Sequence, residues 1–477
     1  MGSRIAPRLA PALVSLLWLA AGASAARLAL DDYVARPDPV YKWKLVREVS
    51  VEGGRGYVLE MTSQKWLTSE EVDRPVWTHW VNVVIPAEVK HSTALLFIGG
   101  GSNGGEAPAS IDAMFQKIAS ALGIVVAEVR MVPNQPLVFA GDGRERSEDA
   151  IIAFAWRKFL ETGQTKWLPR LPMTKAAVRA MDTATAFCKG KGVQIGKFVV
   201  AGGSKRGWTT WTTAAVDKRV VAIAPMVIDV LNLEPSMIHH YRAYGFWAPA
   251  IADYENEGIM DWVGTERLRT LLRQVDPYEF RERFTMPKYL INSSGDQFFL
   301  PDSSRFYFKD LPGEKLLRYV PNTGHSLDGG EQVVESFAAW MGLVLENRSR
   351  PRLDWEFPPE GGIVARADAA PKRVRLWQAH NPKARDFRVD VLGKVWKAST
   401  IEAGPGGAYR AETPKPDSGW RAYFLEFTFG DGKFPLIVTT PVRVVPDTLP
   451  YPAPKPAAAK AAAATALAGV PVYAAAE

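Results

Sequence analysis

Three side chains of this sequence, in the order Ser204, Asp296 and His325, are of the types that nucleophilic catalysis needs. A serine hydroxyl attacks poorly until a base takes its proton, and the base works only when an acid orients it. Ser204 stands in Phe198-Val-Val-Ala-Gly-Gly-Ser204-Lys-Arg-Gly207-Trp, where a β-branched apolar run stops at two glycines and a helix-compatible stretch, 208–216, begins at once. This pattern predicts a nucleophile elbow, a sharp strand-to-helix turn that holds one hydroxyl above a parallel sheet. It departs from G-x-S-x-G in one place. Arg206 occupies the second position after the serine, and the glycine comes one later, at Gly207.

Six histidines make the search for a base short. His79 and His91 precede the first long strand, His239 and His240 fall in a long connection, and His380 lies in the C-terminal part. His325, in Pro321-Asn-Thr-Gly-His325-Ser, follows the last strand expected in the sheet, where an α/β-hydrolase carries its base. The acid should follow an earlier strand. Tyr289-Leu-Ile-Asn runs into Ser-Ser-Gly-Asp296, which makes Asp296 the first candidate. Asp229, after the strand at 220–227, is the alternative acid, and Asp302 is a third.

A tetrahedral intermediate needs backbone N–H groups aimed at its developing charge. The amide of Lys205 would be one donor, and the loop Ile98-Gly-Gly-Gly101-Ser102-Asn103-Gly-Gly offers Gly101 and Ser102 as the other. Lys205 and Arg206 could favour an acidic or carboxylated substrate, or could simply pair with nearby carboxylates. The same glycine loop also satisfies a dinucleotide fingerprint, with Gly99, Gly101, Gly104 and a later Glu128. That alternative leaves Ser204, Asp296 and His325 without a purpose, so the sequence argues for no cofactor. His239 and His240 are neighbours, pointing about 100° apart on a helix, which suits metal chelation poorly.

The elements that must position these residues alternate. Apolar segments at 93–98, 124–129, 197–200, 220–227, 288–292 and 316–320 read as buried parallel strands. Helix-compatible stretches at 110–122, 148–162, 173–189, 208–217 and 326–345 separate them, which implies an α/β sheet covered on both faces. Two longer connections, near 131–171 and 231–278, are rich in Trp, Tyr and Met and would build a lid or pocket. After residue 352 short alternating segments at 374–379, 386–391, 420–429 and 435–445 predict a small antiparallel β-sandwich over 353–447. An Ala/Pro-rich stretch, 451–477, should be a disordered tail.

The N-terminal 25 residues have basic, apolar and small-x-small regions in the order of a signal peptide, ending at Ala23-Ser24-Ala25. The apolar part is short for a membrane span. The remaining 26–350 would be the α/β-hydrolase-like unit of a secreted or periplasmic protein. Cys188 is the single cysteine, so no internal disulfide can form, and its apolar neighbourhood suggests a core residue. Net charge is +7, or +5 without Arg4 and Arg8, and no lysine-rich block stands out, which argues against nucleic-acid binding.

Several stretches resemble the PhoPQ-activated pathogenicity-related family. They include Trp77-Thr-His-Trp-Val, Ile98-Gly-Gly-Gly-Ser-Asn, Val132-Pro-Asn-Gln-Pro-Leu, Ala201-Gly-Gly-Ser-Lys-Arg-Gly-Trp, Pro225-Met-Val-Ile-Asp-Val-Leu-Asn, Asn292-Ser-Ser-Gly-Asp-Gln-Phe-Phe, Pro321-Asn-Thr-Gly-His and Trp377-Gln-Ala-His-Asn-Pro. That family is similar to α/β-hydrolases and also includes a secreted repressor of cell proliferation from an amoeba. The resemblance implies Ser204, Asp296 and His325 as a triad and makes Gly-x-Ser-x-Arg-Gly the family's own form; glucuronoyl esterases look related in their late glycine. It names no substrate. Two functions stand as expectations: a secreted serine hydrolase cleaving a small-molecule or peptide ester or amide, with ester cleavage favoured; or a secreted virulence-associated or proliferation-repressing signalling protein on a hydrolase scaffold.

Overall fold

The computed structural model describes Gly2 and residues 28–359, 361–430 and 434–457. The expected signal peptide, Gly2 apart, lies outside the described residues, as does 458–477. Nine strands form the main sheet: β1 (Lys42–Val49), β2 (Gly54–Lys65), β3 (Val76–Pro86), β4 (Thr93–Ile98), β5 (Val126–Val129), β8 (Lys197–Gly203), β9 (Val220–Met226), β10 (Lys288–Ser293) and β11 (Lys315–Val320). The short pair β6 (Leu137–Val138) and β7 (Glu145–Arg146) lies apart, in the first insertion. The order is β1-β2-β3-β5-β4-β8-β9-β10-β11. From β5 to β11 every pairing is parallel, and β1, β2 and β3 join antiparallel at one edge. Parallel strands buried on both faces read as continuous apolar runs, which is why these segments lack the alternation of a half-exposed sheet.

Alternate side chains leave the sheet on opposite sides and found two cores. Leu96, Phe198 and Val200 point to one side, towards α3 (Asp149–Thr162), α4 (Arg170–Gly190) and α5 (Lys205–Val216). Leu95, Val199 and Ala201 point to the other, towards α2 (Ala113–Leu122) and α9 (Val333–Leu345). This is an α/β-hydrolase fold. α6 (Leu233–Tyr244), α7 (Ala252–Asn256) and α8 (Glu266–Val275) belong to the second insertion, beyond the C-terminal end of β9.

The C-terminal part forms two antiparallel sheets. One joins β12 (Leu353–Glu356), β13 (Ile363–Ala367) and β16 (Tyr409–Ala411). The other runs β15 (Lys397–Thr400), β14 (Arg373–Asn381), β17 (Trp420–Phe429) and β18 (Leu436–Thr439), with β19 (Arg443–Val445) also on β17. Both sheets share the cores of the first unit: Tyr423, Leu425 and Leu436 pack in one cluster with Tyr289 and Trp340. Tyr289 donates its hydroxyl to the Ile437 carbonyl, and Tyr319 N donates to Thr439 Oγ1 at 3.1 Å.

Three local expectations change. The helix expected from 326 begins at Val333, because Gln332 is left-handed at φ 50° and the Arg318 guanidinium holds the Glu331 carbonyl outside the helix. Residues 386–391 are not a strand. Arg388 doubles back on Asp386 at 2.6 Å, and a short helix, Val389–Leu392, follows. The segment 435–445 splits at Thr440-Pro441, where proline has no N–H to continue a ladder. In the tail, Tyr451 N donates to Arg242 O and Ala457 N to Asp261 O, so residues 451–457 run along the second insertion.

Candidate active site

Ser204 stands between β8 and α5 at φ 56°, ψ −126°, a backbone conformation that costs a non-glycine residue about 1–3 kcal/mol. The strain is held from both sides. Ser204 N donates to Met226 O at 2.9 Å, and Trp208 N returns to Ser204 O at 3.0 Å. The glycines around it are steric requirements. A Cβ on Gly202 would come 2.9 Å from Arg206 O, and one on Gly207 would lie 2.9 Å from both Gly202 O and Met226 O. The late glycine is therefore the position where helix α5 crosses β8 and β9.

Asp296 follows β10 and is almost fully buried. It accepts from Phe298 N at 2.8 Å and presents both oxygens to His325 Nδ1, at 2.9 and 3.0 Å. Gln297 Oε1 accepts the His325 amide at 2.8 Å and so fixes the loop that carries the ring. Phe298 and Phe299 flank the imidazole, with ring centroids 4.3 and 5.9 Å away. With Nδ1 facing the carboxylate, Nε2 is left buried and without a hydrogen-bond partner among the described residues. A histidine held in this way keeps one nitrogen for proton exchange.

The other two acids are engaged elsewhere. Asp229 accepts from Tyr307 and Tyr319 hydroxyls, each at 2.6 Å, and burial pushes its carboxyl up to about 7 against those bonds. Neither of its oxygens bonds a histidine among the described residues. Asp302 bonds His239 Nε2 at 3.1 Å and the Arg385 guanidinium at 2.7 Å. Burial opposes its ionisation, yet Arg385 and His239 hold it well below the usual carboxylate range. His239 thus belongs to a buried ion cluster. His240 accepts from Ala248 N at 3.0 Å. His79 bonds Ser63 Oγ at 2.9 Å inside the core. Cys188 is buried, and burial pushes its thiol up to about 12, which makes it inert at neutral pH. Among the described residues no group of three or more His, Cys, Asp or Glu could hold a metal ion.

Lys205 begins α5, and its amide, like those of Gly101 and Ser102, donates to no group among the described residues. Gly101 adopts φ 127°, and Gly100 lies so close to Arg206 that a Cβ there would come 2.8 Å from Nη2. Arg206 ties this loop to its surroundings. Nε donates to Val132 O at 2.6 Å, and Nη2 meets Glu148 Oε1 at 2.5 Å. The Lys205 ammonium lies 2.8 Å from Glu148 and 3.0 Å from Asp149. Both cations that suggested an acidic substrate are thus neutralised by the protein itself.

Ser204 lines a cavity. Its walls come from both insertions: Trp156 of α3, Met237 of α6, Tyr254 of α7, Leu268 of α8, with Phe298 and Phe299 from the acid's own loop. The charged residues on its wall are Asp149, Arg170 and Lys205.

Residues 30–388 match the PhoPQ-activated pathogenicity-related protein family. The chain belongs to that family. It is 40% identical over 474 residues to autocrine proliferation repressor protein A of Dictyostelium discoideum, covering 92% of this chain and 94% of that one. Solved structures similar to it include acetyl xylan esterase from Paenibacillus sp. R4, at 14% identity and TM-score 0.45 over 67% of this chain and 92% of that one. Another is Pyrococcus horikoshii acylaminoacyl peptidase, at 16% identity and TM-score 0.40 over 65% of this chain and 43% of that one.

In this family member the site also contains groups that the sequence reading passed over. Glu148 has φ 53°, ψ −124°, close to the strained conformation of Ser204, and it opens α3 as Ser204 opens α5. Asp149 accepts from the Tyr254 hydroxyl at 3.0 Å. The acidic pair before an apolar helix was a visible signal, but its partners lie tens of residues away. The acid and base loops also lean on the C-terminal part. Val389 N donates to Gly295 O at 2.9 Å, and Asn322 exchanges two hydrogen bonds of 2.9 Å with the Trp396 backbone.

Proposed function

We propose that this chain is an exported serine hydrolase that cleaves an ester or amide. Ser204 attacks the carbonyl, and His325 Nε2 takes its proton and later passes it to the leaving group. Asp296 holds the imidazole tautomer and stabilises the imidazolium. The Lys205 amide, with those of Gly101 and Ser102, receives the oxyanion; removal of one such donor costs about 100- to 1,000-fold in kcat. The observation that carries this reading is the carboxylate of Asp296 on Nδ1 of His325, which leaves Nε2 unbonded among the described residues, while the Phe298 and Phe299 rings beside that imidazole share a cavity wall with the strained Ser204. An ester is favoured over a peptide because no motif in the sequence marks a peptide-recognition site. Export follows from the N-terminal sequence pattern; among the described residues no helix is long and apolar enough to cross a membrane.

Labelling with a fluorophosphonate probe tests the reading. Wild type should label, and Ser204→Ala and His325→Ala should not. Absence of labelling in wild type, or labelling undiminished in Ser204→Ala, refutes catalysis. The 40% identity to a proliferation repressor supports a second reading, a secreted signal whose activity is independent of hydrolysis. A proliferation assay with Ser204→Ala separates the two: full retention of repression assigns the biological activity to the scaffold.

A further inference from the structure

Arg170, the first residue of α4, reaches beneath the first turn of α5 and is 3% exposed. Its Nη1 donates to Lys205 O at 2.6 Å and to Thr209 Oγ1 at 2.9 Å, and its guanidinium lies 4.7 Å from the Trp208 ring centroid. Nε and Nη2 donate to nothing among the described residues, and no carboxylate lies within ion-pair distance. Lys205 and Arg206 are matched by Glu148 and Asp149, so the three cations around the nucleophile meet two carboxylates. Asp149 is shared between Lys205 and Tyr254 and acts on Arg170 only through space, which leaves Arg170 as the one of the three without a direct ion pair among the described residues.

Burying a cation with idle donors is unfavourable unless a partner arrives. Burial lowers the guanidinium pKa to about 9, so it is still charged at neutral pH. The idle donors form the Nε–Nη2 edge, a fork whose spacing matches the two oxygens of a carboxylate. Arg170 also lines the cavity beside Ser204, whose remaining wall is mostly apolar.

We propose that Arg170 anchors a carboxylate carried on an apolar body, and that the substrate is an ester or amide whose apolar portion ends in that carboxylate. The body would lie between Trp156, Tyr254 and Met237, and the scissile carbonyl would stand at Ser204. This assignment rests on the cavity being the hydrolase's substrate pocket.

The test compares 6-phenylhexanoate with 6-phenylhexan-1-ol, which have the same apolar body and are not themselves hydrolysed. In calorimetric titration of the wild-type protein the carboxylate should bind at least tenfold tighter than the alcohol. It should also slow fluorophosphonate labelling. Arg170→Met should abolish the preference while alcohol binding stays within about threefold, and Arg170→Lys, which keeps charge but not the fork, should retain part of it. Equal binding of the two ligands by wild type, binding of neither, a preference that survives in Arg170→Met, or carboxylate binding that leaves labelling unaffected would each overturn the proposal. Should Arg170→Met not fold, the wild-type comparison decides alone. If wild type never labels but carboxylate preference depends on Arg170, the catalytic reading fails and the anchor stands.

Discussion

Replacing Glu148 by glutamine probes the ion network that holds the elbow to the glycine loop. Oε1 of Glu148 faces Arg206 at 2.5 Å and Oε2 faces Lys205 at 2.8 Å, so an amide nitrogen at the second position would oppose an ammonium. Burial works against the charge of Glu148, but Arg206 and Lys205 bring its pKa from 4.5 down to about 2. A drop of that size corresponds to about 3 kcal/mol. Because 39% of the side chain is exposed, solvent screening reduces this to about 2 kcal/mol. A depressed carboxylate stabilises the fold above its unfolded pKa, and that stability fades as pH falls towards the folded value. Urea unfolding at pH 7 should therefore show Glu148→Gln less stable than wild type by about 2 kcal/mol, and the difference should fall to about half near pH 3.3. A difference that is absent at pH 7, or unchanged between the two pH values, would refute the reasoning.

Ser204→Gly relieves the strain at φ 56° and should raise stability in urea by about 1 kcal/mol, after the entropy lost by adding glycine, while abolishing probe labelling. Gly207→Ala should cost about 2–4 kcal/mol, since its methyl meets two carbonyl oxygens at 2.9 Å; thermal unfolding would show this, and a stability equal to wild type would contradict the packing. Asn322→Ala removes both bonds to Trp396 and should cost about 2 kcal/mol, with slower labelling of Ser204 as the His325 loop loosens.

The fold was readable where burial is uniform. The segments around 93–98, 197–203, 220–226, 288–293 and 315–320 are buried along most of their length, and each is followed within three residues by Gly, Asp, Asn or Ser. Ser204, Asp296 and His325 could be singled out because each follows such a run. The edge β1-β2-β3 was harder to see, since alternation predicts a strand but not its direction or partner. Arg170, Glu148 and Asp149 left little trace in the sequence: Arg170 and Lys205 are 35 positions apart, and Glu148 and Arg206 are 58 apart. Whether such charges face solvent or each other is decided by tertiary packing. The segment 386–391 misled because its alternating apolar residues mimic a strand, while the Asp386–Arg388 pair bends the backbone.

The hydrogen bonds from Val389 and Trp396 to the turns after β10 and β11 bear on how such a protein can be inherited. The turns that carry Asp296 and His325 are each buttressed by the same stretch, 389–396, which lies well past the last strand of the main sheet. A recombination event between the two parts would exchange the buttress and leave those turns facing a foreign surface. The two halves are therefore expected to descend together, and swaps among relatives should survive only when the crossover falls outside this pair of contacts.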